Sequence, residues 1–514
     1  MILSLAIPLL SIVGAAIGLV LLKDLIWFLR SLKYIKQGIP LRYYPFSGYF
    51  KHLDNPSKEH GQEDFMKLFE NPKNKNQSEK IIQANGFSQP TLFLNDQELV
   101  KEFYQKETQV SCTFNAFGFP ASDVFIWSHD TKKVQKHRGI FAELFFPANL
   151  KKHTPHLRAI VQRHFNRIRD EIKKAGSQNS NKKFAEVELR RNLVDIFTDS
   201  VSYVLFGGEI PQVDGEPLVN HIENVVGGYF VNHTSNLHTA TLGLSTKLGF
   251  DKNFNATQKL YKKIIDKLKA VVRERENNKN YQFGCNVVDL LILKNRELEA
   301  QGKVEEMMDL HEIAANIFTM VFAGMDTSRN LTEAALYKLS FEPELQGVLR
   351  DTVRKEILDT GKGEVYENYD HSQFLESFLK ETFRLYGPAS MTFHRQILKT
   401  FKLGPYTIHK GTILLIPFNT LQTKPELFQE PLKFDLSKYE EKKKIKDLSK
   451  NILIPFSTGK RACVGKNLAD IMIKIILCNF LDQFELERSD KPNRRFMALT
   501  VGLQHCNARL RSLE

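Results

Sequence analysis

A single cysteine lies in a short segment with glycines near both ends, directly before an apolar run with helical spacing. The segment reads FSTGKRACVG over residues 456–465, and KNLADIMIKIIL follows it. A thiol at a helix N-terminus faces unsatisfied N–H donors and the positive end of the helix dipole, which stabilise a thiolate. Cys463 could therefore be a nucleophile, a redox sensor or an axial ligand to haem iron. Packing as a small buried side chain is the common role of a lone cysteine.

An acid and a hydroxyl interrupt an apolar helical pattern upstream of that cysteine. Apolar residues recur at helical spacing over roughly 305–337, and AGMDTS interrupts them at residues 323–328. Most of the apolar residues are those of an ordinary core helix. A glycine costs about 1 kcal/mol inside a helix, so its place beside Asp326 and Thr327 indicates a further role. These two side chains suit the delivery of protons into an apolar pocket.

A third motif places opposite charges three residues apart. KETFRLYGP, residues 380–388, puts Glu381 and Arg384 on one face of a helix that should end at Gly387 and Pro388. Taken alone, such a pair is most often an exposed ion pair that contributes well under ~1 kcal/mol.

Together these motifs resemble those of the cytochrome P-450 superfamily of haem-thiolate monooxygenases. The cysteine segment matches the family's Phe-x-x-Gly-x-Arg-x-Cys-x-Gly signature at all its fixed positions. The AGMDTS segment is similar to the family's oxygen-binding motif, and KETFRLYGP is similar to its E-x-x-R helix. The signature positions are Phe456, Gly459, Arg461, Cys463 and Gly465.

The resemblance implies a mainly α-helical fold with a minor β-sheet, and haem b (iron protoporphyrin IX) as the cofactor. It implies that Cys463 is the axial thiolate ligand of the iron. The roles implied for the other matched residues are propionate binding for Arg461, Arg138 and Arg395, proton relay for Asp326 and Thr327, and a structural ion pair for Glu381 and Arg384.

Two positions depart from the family pattern. Val134 stands where the family's W-x-x-x-R helix has Trp, although Arg138 is retained. Lys438 stands where the family's F-x-P-x-R-F segment supplies an Arg. In the family this Arg joins the pair that corresponds to Glu381 and Arg384, and the three residues form a structural brace. A lysine can supply the positive charge there but not the bidentate fork of arginine.

Beyond residue 50 the sequence predicts one mainly helical body with a minor sheet. Helical periodicity dominates from about 130 to 385, and strand-like runs such as GTILLIP at residues 411–417 are short. The five cysteines are scattered and form no C-x-x-C pair. Neither a disulfide framework nor a structural zinc site is therefore expected.

The N-terminus predicts a membrane anchor. Residues 1–22 carry no charged side chain, and roughly 20 apolar residues suffice to cross the hydrocarbon core. No basic residue precedes the run, which favours an anchor over a cleaved signal peptide. Basic residues that follow it should stay in the cytosol. We expect a transmembrane anchor at 1–29, a proline-bearing hinge at 30–50 and a haem-binding domain at 51–514, held in the endoplasmic reticulum membrane by a single pass and facing the cytosol.

The resemblance implies insertion of one oxygen atom of O2 into a lipophilic small molecule. Electrons would come from NADPH through a reductase, with cytochrome b5 as a second candidate donor. The net charge of +13 is scattered along the chain without a nucleic-acid-binding module, so no nucleic-acid partner is expected. Two alternatives stay open: a haem-binding sensor without turnover, which the departures at Val134 and Lys438 support, and a peroxide-rearranging enzyme. The Asp326–Thr327 pair disfavours both.

Overall fold

The computed structural model describes most of the chain beyond the N-terminus. The predicted anchor at 1–29 lies largely outside the described residues, and within them no helix is both long and apolar enough to span a bilayer. The described residues are 18, 22, 24–43, 69–71, 74–84, 90–106, 110–112, 124–126, 128, 130–177, 184–222, 224–226, 252–359, 369, 372–392, 394–439, 455–491, 495–497, 500–503 and 505–513.

Helices dominate the body, as predicted. They account for most of the described residues between about 130 and 385, and a further helix follows Cys463. The principal helices are α1 (24–35), α2 (Gln97–Gln105), α3 (Thr131–Leu144), α4 (Pro147–Leu150), α5 (Thr154–Ser177), α6 (Leu189–Phe206), α7 (Lys252–Asn277), α8 (Val287–Ala300), α9 (Leu310–Ser340), α10 (Pro343–Val353), α11 (Gln373–Tyr386), α12 (Phe418–Gln422) and α13 (Lys466–Gln483).

The strands are short and form small sheets. They are β1 (Leu41–Arg42), β2 (Glu70–Asn71), β3 (Asn74–Ser78), β4 (Ile81–Ala84), β5 (Thr91–Leu94), β6 (Val110–Cys112), β7 (Ala185–Glu188), β8 (Gln212–Val213), β9 (Glu216–Pro217), β10 (Arg395–Ile397), β11 (Phe401–Leu403), β12 (Tyr406–Ile408), β13 (Ile413–Leu415), β14 (Phe484–Arg488), β15 (Arg495–Met497), β16 (Val501–Leu503) and β17 (Asn507–Ser512).

The largest sheet has the order β1-β4-β5-β13-β10-β6. Its β1–β4 and β5–β13 pairs are parallel, whereas its other pairs are antiparallel. Arg395 pairs with Leu414 of β13 on one side and with Cys112 of β6 on the other. This inner position fixes the backbone of Arg395 from both sides. A second sheet has the order β14-β17-β7.

Helix α9 runs through the middle of the body and packs against α6, α7 and α13. It begins at Leu310 rather than near 305 because Asp309 caps it: the Asp309 side chain accepts from the backbone of Glu312, and the Glu312 side chain accepts from the backbone of Asp309. The helix continues without interruption through Gly324 to Ser340. The change in sequence pattern at residues 323–328 is therefore a change of side-chain chemistry and not a break in the backbone.

The N-terminal part of the described chain is attached to the body. Trp27 and Tyr34 on α1 are buried, and the Tyr34 hydroxyl is hydrogen-bonded to Thr412. Strand β1 then joins the largest sheet beside β4. Residues 24–42 are thus held on the body by one face of a helix and by a strand.

Candidate active site

A cavity of about 320 Å3 lies between α9 and the segment that precedes α13. Its walls come from α3, α6, α9, β10 and residues 455–465, and most of them are apolar. Met320 and Phe322 of α9 and Val201 of α6 are among the apolar side chains. A mainly apolar cavity with few polar groups is typical of a small-molecule site.

The Cys463 side chain faces this cavity. A turn at Gly459–Arg461 and a hydrogen bond of 2.7 Å from the Cys463 N–H to the Phe456 carbonyl shape the segment around it. Gly459 has a φ of +74°, a conformation that glycine adopts without strain. Among the cysteines whose side chains the structure describes, Cys463 is the exposed one, and the cavity is the space to which it is exposed.

The electrostatic surroundings of this thiol act in opposite directions. Burial within the protein has the largest effect and raises the pKa of the Cys463 thiol. The backbone N–H groups of Gly465 and Lys466 donate to the sulfur and, with the charge of Arg138, act to lower the pKa. These N–H groups open helix α13, as expected for a sulfur at a helix N-terminus.

Three arginines from separate elements line the same cavity. They are Arg138 of α3, Arg395 of β10 and Arg461 of the cysteine segment. Arg461 donates to the carbonyls of Phe125 at 2.9 Å and Ser128 at 3.4 Å. None of the cavity-lining residues within the described chain is Asp or Glu. The cavity therefore combines a thiol with three cations and offers an environment for an anionic ligand.

The acid and the hydroxyl of α9 differ in their relation to the cavity. Thr327 lines it, and its hydroxyl donates to the Ala323 carbonyl at 2.6 Å. The Asp326 side chain instead binds Arg329 at 2.5 Å and contacts Thr500 and Asn330. The two neighbours in sequence thus use different partners, because successive side chains on a helix point about 100° apart.

The predicted ion pair of α11 is fully buried. Arg384 binds Glu381 through Nε and Nη2, each at 2.7 Å, and both side chains are 0% exposed. Arg384 also donates to the carbonyls of Gln422 and Lys433. Burial alone would raise the pKa of the Glu381 carboxyl, but the hydrogen bonds and charge of Arg384 outweigh it and the pKa is lowered.

Two further side chains complete this cluster around Glu381. Lys438 Nζ lies 3.1 Å from Glu381 Oε1, and the Tyr439 hydroxyl donates to Oε2 at 2.9 Å. Lys438 therefore reaches the carboxylate from the position where the resemblance calls for arginine. The Phe383 ring, on the same helix, contacts the Phe456 ring with centroids 5.0 Å apart. This contact joins α11 to the cysteine segment.

Several polar residues of the cavity were not found from the sequence, and His394 and Thr500 are two of them. His394 lies beside Arg395 and lines the cavity, and its burial lowers the pKa of the imidazole to about 3, so the ring is neutral at physiological pH. Thr500 lines the cavity from the position directly before β16. Neither lies in a motif with recognisable spacing. Only the folded chain brings them to the site.

Comparison with known proteins agrees with this geometry. The family model for cytochrome P-450 matches residues 40–509. The chain belongs to the cytochrome P-450 family. It is 25% identical over 438 residues to Cytochrome P-450 6B1 of Papilio polyxenes, and this alignment covers 82% of each chain. It is 24% identical to Probable cytochrome P-450 6a21 of Drosophila melanogaster over 79% of each chain. It is 26% identical to Cytochrome P-450 3A31 of Mesocricetus auratus over 44% of this chain and 43% of that one.

The family makes this protein an oxidoreductase, a haem-thiolate monooxygenase whose cofactor is haem b bound through a cysteine thiolate. The residues around the cavity fit that cofactor. Haem b has a flat apolar ring, an iron that accepts a soft thiolate ligand and two carboxylates. The cavity offers apolar walls, one facing thiol and three guanidinium groups.

Proposed function

We propose that this P-450 binds its haem through Cys463 and oxygenates a lipophilic small molecule. The observation that carries the proposal is the Cys463 thiol, which faces an apolar cavity from a segment whose backbone donates two hydrogen bonds to the sulfur. When bound, the haem supplies the oxidising chemistry. The chain supplies the ligand, the shape of the cavity and the protons.

Arg138, Arg395 and Arg461 are the proposed partners of the haem carboxylates. All three line the cavity that contains Cys463, and a guanidinium can bind a carboxylate in a bidentate manner. Arg395 is buried within the largest sheet, while Arg461 is steadied by two backbone carbonyls. The Arg461 guanidinium and the Arg395 backbone are therefore held in place before an anion binds.

Thr327 and Asp326 are the proposed proton-handling residues. The Thr327 hydroxyl lines the cavity, where it can donate to a ligand after leaving the Ala323 carbonyl. The Asp326 side chain is 20% exposed, so it can exchange protons with water. Dioxygen chemistry consumes protons, and a positioned carboxyl group can supply them in an otherwise apolar site.

The proposed electron donor is an NADPH-dependent reductase, with cytochrome b5 as a second donor. The chain carries a net charge of +13, which attracts an acidic partner. Lys460 and Lys466, on either side of Cys463, are exposed. They offer positive charge to a donor that approaches the cysteine segment.

The proposed location is the endoplasmic reticulum membrane, with an anchor at 1–29, a proline-bearing hinge at 30–50 and the catalytic domain at 51–514 in the cytosol. Any hinge movement would fall after residue 42, because Tyr34 and β1 are packed on the body. Leu25, Phe28 and Leu29 support this proposal, because they expose 53%, 43% and 56% of their surface on the side of α1 away from the body. The same membrane holds lipophilic molecules and so suits the proposed substrate class.

The decisive experiment is the spectrum of the reduced protein with carbon monoxide. The wild type and a Cys285→Ser control should show the red-shifted band of a thiolate-bound haem. Cys463→Ser should lose that band, because no thiolate then faces the cavity. Persistence of the band in Cys463→Ser would show that another residue binds the iron.

Turnover then separates the proposed reaction from its alternatives. With NADPH, a reductase and O2, a panel of lipids, sterols and foreign apolar compounds should yield an oxygenated product. A thiolate band without any product indicates a sensor. Product from a hydroperoxide in the absence of NADPH and O2 indicates peroxide rearrangement.

A further inference from the structure

Thr500 connects the cavity to the Asp326 carboxylate. Its side chain lines the cavity, and its hydroxyl is hydrogen-bonded to Asp326 Oδ2. The two residues are 174 positions apart in the chain. Among the cavity-lining residues that the structure describes, Thr500 is the one whose side chain binds this carboxylate. The hydroxyl of Thr327, the sequence neighbour of Asp326, is bonded to a backbone carbonyl instead.

The surrounding groups determine which way this hydrogen bond points. The Asn330 amide nitrogen lies 3.2 Å from the Thr500 hydroxyl and can only donate to it. The Thr500 proton is therefore directed to Asp326 when that carboxyl is ionised. Gly502 leaves room for the amide, because a Cβ at this position would lie 2.5 Å from Asn330 Oδ1.

Asp326 is held in place through Oδ1, the carboxylate oxygen that does not bind Thr500. Arg329 binds Asp326 Oδ1 at 2.5 Å and Glu333 Oε1 at 2.6 Å, and Arg190 contacts the other oxygen of Glu333 at 3.3 Å. Glu333 is fully buried. This network fixes the carboxylate, whereas the Thr500 hydroxyl can rotate about its C–O bond.

We propose that Thr500 passes protons from Asp326 into the cavity, a role that rests on the proposed monooxygenase function. Asp326 takes a proton from water at its exposed edge and donates it to Thr500 Oγ1. In the same event the Thr500 hydroxyl turns and gives its own proton to an acceptor in the cavity. One proton enters and one leaves, and the hydroxyl is regenerated. Oγ1 can accept from Asn330 and Asp326 while it donates.

The test removes the hydroxyl and keeps the shape. Thr500→Val should lower the fraction of NADPH electrons recovered in product roughly 10-fold, with hydrogen peroxide formed instead. It should also shift the C–O stretch of carbon monoxide bound to the reduced protein, because a hydrogen-bond donor has left the cavity. Thr500→Ser should restore both properties. Thr332→Val is the matched control, since this hydroxyl of α9 binds the Ser328 carbonyl and lies outside the cavity.

Several results would overturn the role of Thr500. One is a Thr500→Val protein with the wild-type peroxide fraction and C–O stretch. Another is equal impairment in Thr500→Ser, which would show that side-chain shape and not the hydroxyl matters. If Thr500→Val fails to bind haem, the comparison of Thr500→Ala with Thr500→Ser decides in the same way. Failure of the wild type to bind carbon monoxide as a thiolate complex would instead contradict the proposed function.

Discussion

Two helices of this P-450 carry an acid and an arginine at the same spacing, and the structure uses the two pairs differently. Glu381 and Arg384 lie on α11, and both side chains are 0% exposed and joined by two contacts of 2.7 Å. Asp326 and Arg329 lie on α9 beside the cavity, joined by one contact of 2.5 Å, with 20% and 3% of the side chains exposed. The i, i+3 spacing therefore places the charges together but does not determine their role.

The partners of each acid account for the difference. Glu381 receives Lys438, Tyr439 and the Asp435 backbone N–H in addition to Arg384. None of these donors lines the cavity, so the carboxylate is bound on every side and serves to join segments. Asp326 binds Thr500 through its second oxygen, the Thr500 hydroxyl can rotate, and 20% of the Asp326 side chain is exposed. These contacts are compatible with the proton-handling role proposed for Asp326 above.

The largest expected effect comes from neutralising the buried acid. Glu381→Gln leaves the Arg384 and Lys438 charges without a counter-charge in the interior, which should cost about 3–5 kcal/mol of unfolding free energy. Chemical denaturation followed by circular dichroism measures this loss, and haem content should fall with it because α11 contacts the cysteine segment through Phe383 and Phe456.

Glu376 offers a matched control on the same helix. Its side chain is 41% exposed and forms ion pairs with Lys380 and with the buried Lys474, which would keep its contact of 2.7 Å with Asp470. Glu376→Gln should therefore change the unfolding free energy by less than about 1 kcal/mol. Equal losses in the two variants would mean that the Glu381 cluster is no more important to the fold than an exposed ion pair.

The corresponding variant of α9, Asp326→Asn, should keep its stability and lose product formation. Asp326→Asn keeps the shape of the side chain and leaves Arg329 paired with Glu333, so stability and haem content should stay near wild type. Product formation should fall by roughly 10²-fold, because an amide cannot carry a proton between water and the cavity. Product and peroxide yields per NADPH measure this effect.

Asp309→Asn is the control for that variant. It lies at the start of the same helix, where Asn caps as well as Asp, and it should keep full turnover. A loss of haem in Asp326→Asn comparable to that in Glu381→Gln would remove the distinction between the two pairs. So would full turnover in Asp326→Asn.

The sequence predicts the fold class, the end of α11 and the family, but it does not predict the contacts between distant segments. The mainly helical body with a minor sheet is confirmed, since periodicity over about 130–385 depends on local side-chain spacing. The end of α11 at Tyr386 is also confirmed, because Gly387 and Pro388 follow it directly. Family membership is confirmed by the match over residues 40–509. The individual roles of Cys463, Asp326 and Thr327 stay predictions.

The missed features depend on contacts between distant segments. The sequence leaves open whether Lys438 reaches Glu381, because that contact requires the chain after α12 to return to α11. The Tyr439 hydroxyl was not expected at all, although it donates to the same carboxylate. Thr500 and His394 likewise carry no pattern of their own. A hydrophobic period or a motif gives residues on one element, whereas these side chains meet only when several elements pack.

The smallest expected effect is a change of stability with pH that comes from Glu381. The pKa of the Glu381 carboxyl is held below its ordinary value of 4.5, so its ionised form favours the folded state. Its contribution to stability is fully present above about pH 4.5 and is lost as the pH falls through the lowered value. The difference in unfolding free energy between wild type and Glu381→Gln should therefore shrink as the pH falls from 5 to 3. Denaturation curves at several pH values test this, and a difference that stays constant across the range would show that the Glu381 charge does not contribute to the stability of the brace.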